Sequence, residues 1–529
     1  MGDYLVFLPE AVLVATALAS AVLGFAWSKR PGLLWGLALG GTAVASWLPL
    51  EMMGLSLTAA LGLDLWTTLP VSGAPGGQGD FAADLRMQVD AFALFFHLIF
   101  LFVAFLAVLA SRGFLKADEP HQGEYYALLL LAVVGMMFTA SATDLFVLFL
   151  AFETSSLSTF ALVAFRKKDA QATEAAVKFF IIGAVSSAII LFGISLVYGI
   201  GGTTDLTVLR TDLNLVDFAA FEPPLVVAIV FLIAGFGFKV ATVPFHMWAP
   251  DVYQGSPTTV SVFLAAGSKK VGIVALFKVF LVGLVGIQVD WVAAIAILSI
   301  LTQTVGNVLA IPQRSVKRML AYSSIAQAGY ILIALAVGAL ALSVSDPSLT
   351  PAQQGIARDA AIAGLVGGML HVLTHAAMKG GAFLVVAGVE SRGMTDDVES
   401  WRGLSRRMPF LAFSMTILLL SLAGIPPLGG FFSKFVLFSS AVSAAQLNVW
   451  FLALAISGVL NSALSLYYYA RVIWYMYILE PAEGASKERA PASITAAVFV
   501  AVAVVILTAF LATLFLSYLE GAAAAFFGL

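Results

Sequence analysis

Long apolar stretches separated by polar connections run through the whole chain. Each stretch has close to the ~20 residues that a helix needs to cross the hydrocarbon core of a membrane. We predict fourteen such helices, and no connection has the pattern of a separate soluble domain. They lie near residues 5–27, 33–52, 90–111, 125–141, 144–165, 176–200, 225–247, 258–286, 290–312, 319–343, 359–389, 409–438, 449–478 and 493–519. The pattern indicates an all-α polytopic membrane protein.

Two runs of five helices suggest an internal repeat. Helices four to eight form a unit at 125–286, and helices nine to thirteen form a second unit at 290–478. Three N-terminal helices precede them at 1–124, and the fourteenth helix lies in 479–529. Because five is odd, the second unit starts in the opposite orientation, so the two units are predicted to be inverted five-helix repeats.

The fourth helix of each unit is interrupted by proline. The first break reads VATVPFHMW at 240–248, and the second reads LAGIPPLGGFFSKF at 422–435. Proline removes a helical hydrogen bond that lipid cannot replace, so each break must be packed in protein or line a wet cavity. Paired broken helices in two halves are typical of an ion path.

Basic residues concentrate in alternate connections. Seventeen lysines and arginines lie in the odd-numbered connections, against three (Arg86, Arg210 and Arg358) in the even-numbered ones. An excess of this size marks the cytoplasmic side of a membrane protein. Both termini are therefore predicted on the outer side of the membrane.

Composition narrows the chemistry. Hydrophobic residues make up 61% of the chain and charged residues only 11%, against about 25% charged in soluble domains. A formal net charge of −3 offers no basic surface to a nucleic acid. The lack of cysteine excludes cysteine-ligated iron–sulfur clusters and thiolate zinc, and five histidines leave little for haem. We therefore expect no metal site and no redox cofactor in this chain.

Ionisable residues nevertheless stand beside both breaks. Lys239 precedes Pro244, and Lys434 follows the second break, although a lysine at the bilayer centre costs roughly 2.5–3.5 kcal/mol. Glu153, in the run LFLAFETSSLSTF, offers Lys239 a partner whose charge state can switch with a neighbouring proton. A static ion pair that fixes helix packing is the alternative. His246, within the first break, is a further titratable candidate.

The eighth helix carries three more lysines. Lys269 and Lys270 are adjacent, so on a helix they project about 100° apart and only one of them can face the same cavity as Lys239. Spacing alone does not choose between them. Lys278 lies nine residues after Lys269 and either reaches the outer half of the membrane or extends its amine to the interface.

The eleventh helix carries His371, His375 and Lys379 at intervals of four residues. This spacing places them on one helical face over about 12 Å. Imidazole titrates near neutrality and both donates and accepts protons, as a relay requires. Zinc binding by two histidines four residues apart is a rival interpretation, but no carboxylate or cysteine shares the face. A structural histidine pair is the third.

Several of these motifs occur together in one known family. They are Glu153 within FET, Lys239 with VPFHMWAPDVYQGSP, the step Ser268–Lys269, His375 with Lys379, and GIPPLGGFFSKF, which contains Lys434. The stretch from Asp144 to Lys434 resembles the antiporter-like subunits of respiratory complex I (NADH-quinone oxidoreductase), a family shared with multisubunit cation/proton antiporters. ETSSLSTFALVAF, EAAVKF at 174–179 and GISLVYG at 193–199 look most like the N-type subunit, and lysine rather than glutamate at 434 argues against the M type.

The resemblance implies a proton-translocating membrane-arm subunit, driven by quinone reduction elsewhere in a hetero-oligomeric complex of the inner (cytoplasmic) membrane. It implies that Glu153 and Lys239 form the first switchable pair. Lys269, chosen over Lys270 on this ground, would join His375 and Lys379 in a central wire of side chains and water that ends at Lys434. Quinone, flavin and iron–sulfur clusters are expected in the other subunits.

Two other functions stay open. A sodium or potassium/proton antiporter subunit would use the same charges without electron transfer, and the titratable face His371–His375–Lys379 is richer than expected of an N-type subunit. A scaffold without pumping would keep the fold and lose the charges, which the full set of lysines opposes. The sequence does not choose among NADH, a deazaflavin and ferredoxin as electron donor.

Overall fold

The computed structural model describes residues 2–27, 30–53, 85–116, 118–212, 218–481 and 485–529. Within these ranges the regular structure is helical, apart from three isolated bridges, as the apolar pattern predicts. In chain order the α-helices are α1 (Leu8–Ala26), α2 (Pro31–Met52), α3 (Ala91–Phe114), α4 (Gln122–Ser141), α5 (Leu145–Val163), α6 (Ala170–Gly201), α7 (Leu206–Asp212), α8 (Phe218–Val240), α9 (Trp248–Gly255), α10 (Thr258–Phe263), α11 (Lys269–Lys278), α12 (Gln288–Ala310), α13 (Val316–Gly338), α14 (Pro351–Glu390), α15 (Leu404–Arg407), α16 (Pro409–Ala423), α17 (Gly429–Ala444), α18 (Trp450–Tyr477), α19 (Ala492–Phe510) and α20 (Ala512–Phe527).

Thirteen helical stretches in the described ranges are long and apolar enough to cross a membrane. The remaining predicted span, 409–438, is divided by its break into α16 and α17, each too short to cross alone. The predicted seventh helix, 225–247, stops at Val240, where its own break begins. The predicted fourteenth helix, 493–519, consists of α19 and α20.

Two long helices begin earlier than predicted because polar caps start them. Asp169 accepts a hydrogen bond from the backbone N–H of Gln171 and opens α6 six residues before the expected start. Thr350 and Gln353 form a capping box at the start of α14. The apolar pattern missed these turns because their residues are polar and lie at the surface.

Three spans form the centre of the bundle. Within the most apolar windows of 258–283, 316–345 and 351–390, between 94% and 100% of the residues are buried. The corresponding value is 33% for α6 and α18, which therefore present most of their surface to lipid or to neighbouring subunits. The central position of α14 matters because it carries the titratable face predicted above.

The first break is stabilised by side chains from its surroundings. After α8 ends, the backbone N–H of Val243 donates to the hydroxyl of Thr302 at 3.0 Å. The indole N–H of Trp248 donates to the carbonyl of Phe238 at 3.0 Å. Backbone groups freed from the helix thus find partners within the protein, as irregular structure at membrane depth requires.

The second break is stabilised in the same manner, and one of its partners is a lysine. The carbonyl of Leu422 accepts hydrogen bonds from the Gln327 amide at 3.1 Å and from Lys434 Nζ at 2.7 Å. The neighbouring carbonyl of Ala423 accepts from the hydroxyl of Ser462 at 2.8 Å. The end of α16 therefore fixes the position of the lysine amine.

The elements around the two breaks follow the same order along the chain. The first follows α4, α5 and α6, and the second follows α12, α13 and α14, so each unit has three continuous spans, a broken span and a final one. The first unit also contains the short helix α7, which the apolar pattern does not predict.

Candidate functional site: a row of buried lysines and histidines

Six lysines lie inside the bundle. Each of them is at most 4% exposed, which is unusual for a side chain that carries a charge in water. They are Lys239, Lys269, Lys270, Lys278, Lys379 and Lys434. Buried lysines without a contact carboxylate mark a functional site in a membrane protein.

Lys239 lies in the last turn of α8, immediately before the first break. Its amine donates a hydrogen bond of 2.9 Å to the hydroxyl of Ser156 and lies 5.4 Å from the centre of the Phe152 ring. Glu153 instead accepts a 2.6 Å hydrogen bond from the hydroxyl of Ser187 on α6. The expected contact pair of Glu153 and Lys239 is therefore not formed, because each group has a nearer hydroxyl partner.

Glu153 is also less buried than the sequence suggested. It is partly exposed on the outer surface of α5, between Leu150 and Leu157, which are 51% and 57% exposed. A carboxylate among apolar surface residues is unfavourable against lipid. This face of the chain is therefore suited to contact with a neighbouring subunit.

A π-helical turn precedes the two adjacent lysines. The turn comprises Leu264–Ser268, and the carbonyl of Ala265 lies 3.4 Å from Lys270 Nζ. Lys270 Nζ also contacts Nδ1 of His375. Lys269 Nζ lies 5.9 Å from the centre of the Tyr253 ring and has no hydrogen-bond partner in the described structure. The structure thus places Lys270, rather than the preferred Lys269, against the histidine face.

The first break and the central lysines lie side by side. Gly272, one turn after Lys269, packs so closely on α8 that a Cβ atom at this position would lie 3.2 Å from Cβ of Lys239. His246, within the break, is half-buried, and its Nδ1 has no hydrogen-bond partner among the described atoms.

The predicted face of α14 is fully buried and hydrogen-bonded. The rings of His371 and His375 are stacked with their centres 6.1 Å apart. His371 contacts the hydroxyl of Ser433 through Nδ1 and the amide oxygen of Gln327 through Nε2, both at 2.9 Å. Since both of its ring nitrogens are engaged, His371 has no free nitrogen for a metal. The arrangement is compatible with a relay and with the structural histidine pair that the sequence left open.

Lys379 extends this face by one further turn. Its amine donates a 2.6 Å hydrogen bond to the hydroxyl of Ser323, which in turn contacts the hydroxyl of Tyr469. The ring of Tyr469 also lies 5.9 Å from the amine. Neutral hydroxyl groups therefore solvate this lysine.

Lys434 lies in α17 beside the second break. Besides the carbonyl of Leu422, its amine bonds the hydroxyl of Ser462 at 2.9 Å and lies 4.8 Å from the centre of the Tyr330 ring. Among the described ion pairs none involves Lys434, so a carboxylate partner would have to come from another subunit.

Sequence reasoning missed the neutral partners of these groups. They are Ser156, Ser187, Ser323, Gln327, Ser433 and Ser462. A polar amide such as Gln327 within an apolar run is a usable signal, since it must find a partner in the bundle. Serines are weaker signals, because many of them bond their own helix backbone.

The chain is similar to a known family of membrane proteins over most of its length. The family described as NADH:quinone oxidoreductase/Mrp antiporter, transmembrane region, matches residues 142–345 and 352–461, which is more than half of the chain. The chain belongs to this family. It is accordingly an antiporter-like, multi-pass membrane subunit, and the predicted resemblance is confirmed.

Individual members of the family agree on the N type. The chain is 44% identical over 513 residues to the F420H2 dehydrogenase subunit N of Methanosarcina mazei, with 95% of each chain covered. It is 41% identical over 390 residues to NADH-quinone oxidoreductase subunit N of Trichlorobacter lovleyi, with 74% of each covered. A chain of respiratory complex I from Thermus thermophilus with bound aureothin aligns with a TM-score of 0.72 and 29% identity, covering 96% of this chain and 98% of that one. Subunits of hetero-oligomeric membrane complexes are thus its relatives.

Proposed function

We propose that this chain translocates protons, as the N-type membrane-arm subunit of a quinone-reducing translocase of the complex I type. The observation that carries the proposal is a row of contacts through the centre of the bundle. In order, the row comprises Lys270, His375, His371, Gln327, the carbonyl of Leu422 and Lys434. The titratable groups at both ends and in the middle of the row can take up and release protons. The neutral groups fix the positions of the titratable side chains by hydrogen bonds.

Electrostatic repulsion between protonated amines drives proton transfer along this row. Lys269, Lys270, Lys379 and Lys434 are buried in one bundle without a contact carboxylate, so a proton bound at one amine disfavours a proton at the next. The imidazoles of the row can pass a proton between the lysines because they donate and accept near neutrality.

The input to the row is assigned to Glu153 and Lys239. Glu153 lies on the outer surface of the chain, where a neighbouring subunit can change its charge or its contacts. Lys239 lies deeper, next to the helix of Lys269, and its hydrogen-bond partner Ser156 lies three residues after Glu153 on α5. We assign the transfer from Lys239 to Lys270, where the row begins, to intervening water, since the two amines share no partner among the described contacts.

Protons fit the row better than alkali metal ions do. A sodium or potassium ion would meet ammonium and imidazole groups, and the described residues of the row from Lys270 to Lys434 include no carboxylate to balance it. The antiporter alternative rests on the shared family and on the titratable face of α14.

Redox chemistry is assigned to other subunits. Iron–sulfur clusters are held by cysteine thiolates, and this chain contains no cysteine. Quinone and flavin are assigned to the other subunits because the family resemblance implies it. We place the protein in the inner membrane with both termini outside, on the strength of its loop charges.

The test uses sealed membrane vesicles that contain the intact complex. Quinone reduction is started, and proton and sodium movements are recorded together for wild type and for Lys379→Met, with the exposed Lys167→Met as control. We expect proton movement that is at least tenfold lower in Lys379→Met and unchanged in Lys167→Met, without sodium movement. Sodium transport that follows electron flow and survives a protonophore would overturn the proposal.

A further inference from the structure

Glu10 and His97 form a second buried titratable pair, outside the row described above. Glu10 is 1% exposed in the first turn of α1, and His97 is fully buried in α3. Oε1 of Glu10 lies 3.4 Å from Nδ1 of His97. Both oxygens of Glu10 and Nδ1 of His97 are buried and make no hydrogen bond in the described ranges, so two unpartnered groups face each other at this distance.

The protonation of His97 follows from its other nitrogen. Nε2 lies 3.0 Å from the carbonyl oxygen of Met137 and 3.0 Å from the hydroxyl of Ser141. A carbonyl only accepts hydrogen bonds, so Nε2 must carry a hydrogen. A neutral imidazole in this position therefore presents the lone pair of Nδ1 to Glu10.

This geometry requires one additional proton in the pair. An ionised carboxylate facing a lone pair in an apolar core would have no compensating hydrogen bond, which is strongly unfavourable. Either protonated Glu10 donates to Nδ1, or imidazolium donates to carboxylate. Both forms are neutral overall, and both hold one proton between the two residues.

Two opposing influences balance the position of this proton. The N-terminus of α1 favours the carboxylate form of Glu10. Lys278 of α11 places its amine 5.7 Å from the centre of the Phe92 ring on α3, the helix that carries His97. A positive charge on that amine opposes a second positive charge on His97. The proton is thus sensitive to the charge of a lysine in the helix of Lys269 and Lys270.

We propose that Glu10 and His97 form a proton-binding site of the N-terminal helices, which holds one exchangeable proton and responds to Lys278. The presence of the proton does not depend on the proposed function. Whether this proton takes part in translocation, by exchange between the N-terminal helices and the lysine row, rests on that function.

A purely structural contact without an exchangeable proton is the competing explanation, and one substitution separates the two. In Glu10→Gln the amide N–H can still donate to Nδ1 while the exchangeable proton is lost. Glu51→Gln is the matched control, because Glu51 is also buried, at 2% exposed, and neither of its oxygens has a hydrogen-bond partner.

The experiment is infrared spectroscopy of the intact, resting complex in H2O and D2O. We expect the wild-type spectrum minus that of Glu10→Gln to contain a deuterium-sensitive signal of one protonated carboxyl or one imidazolium, which Glu51→Gln retains. His97→Gln gives the same comparison from the other partner if Glu10→Gln does not assemble. Lys278→Met should move signal from carboxyl to imidazolium.

A difference spectrum that shows only an ionised carboxylate would overturn the shared proton. An unchanged ratio of the two forms in Lys278→Met would overturn the coupling. Because the complex is at rest, these results are independent of whether the chain pumps protons.

Discussion

Lys270 and His375 contact each other through their nitrogens at the centre of the bundle. A hydrogen bond between two nitrogens needs one donor and one acceptor, so the ammonium form of Lys270 requires an unprotonated Nδ1. The neutral imidazole then carries its hydrogen on Nε2, which has no partner in the described structure. The two residues can therefore exchange a proton with each other, and the N–H at Nε2 of His375 is free to donate a proton to a further group.

The first prediction separates the two adjacent lysines. Lys270→Met should lower proton translocation per electron at least tenfold, because it removes the group that contacts His375. Lys269→Met should have a smaller effect, since its amine lies against the face of Tyr253 and makes no hydrogen bond in the described structure. Proton uptake by vesicles with equal amounts of assembled complex measures both. A larger loss in Lys269→Met would restore the assignment that the family resemblance implies.

The second prediction concerns the input. Lys239→Met and Glu153→Gln should each reduce proton translocation severely while the complex still assembles. Ser156→Ala should have an intermediate effect, because a hydrogen bond to a charged group contributes about 1.5–3 kcal/mol and the amine itself remains. Quinone-linked proton translocation is the measurement. Unchanged pumping per electron in both of the first two variants would contradict the role of this pair.

The third prediction concerns metal. Since both ring nitrogens of His371 contact protein groups, removal of divalent ions with a chelator should leave proton translocation unchanged. Stoichiometric zinc located by anomalous scattering at His371 and His375 would contradict the relay assignment.

The fourth prediction tests the second break as a rigid support. Gly430→Ala would place a Cβ atom 2.0 Å from the carbonyl oxygen of Ser421, which cannot move without opening the break. Overpacking of this kind costs about 1–3 kcal/mol, so we expect a lower unfolding temperature and less assembled complex. Gly36→Ala is the control, since nothing lies within 4 Å of its added Cβ. Equal stability of the two variants would show that the backbone at the break can shift to accommodate the added methyl group.

The sequence was sufficient for the helical class, the breaks and the charged side chains. Apolar runs of about 20 residues predict membrane-spanning helices. A proline near a lysine within such a run is easily recognised in the sequence. It was not sufficient for the partners of those charges, because contacts between helices depend on rotation about each axis. Spacing does not separate Lys269 from Lys270, and the family resemblance favours Lys269, because adjacent positions differ only in the direction in which they project. For the same reason the sequence does not show that Glu153 bonds Ser187 and leaves Lys239 to Ser156.

Lys434 tests the central claim, which is that the buried amines release protons. Arginine preserves the charge but does not deprotonate in proteins. A cavity of about 740 Å3 beside Lys434, lined by Phe435 and Ile456 among others, gives a guanidinium room. A loss of function in Lys434→Arg would therefore reflect the trapped proton rather than a steric clash.

The decisive measurement is proton translocation per electron in vesicles containing Lys434→Arg, with Lys434→Ala and Lys167→Arg in parallel and assembly checked for each. The account predicts at least a tenfold loss in both Lys434 variants and none in Lys167→Arg. Wild-type translocation in Lys434→Arg would contradict it and would show that Lys434 is a fixed charge.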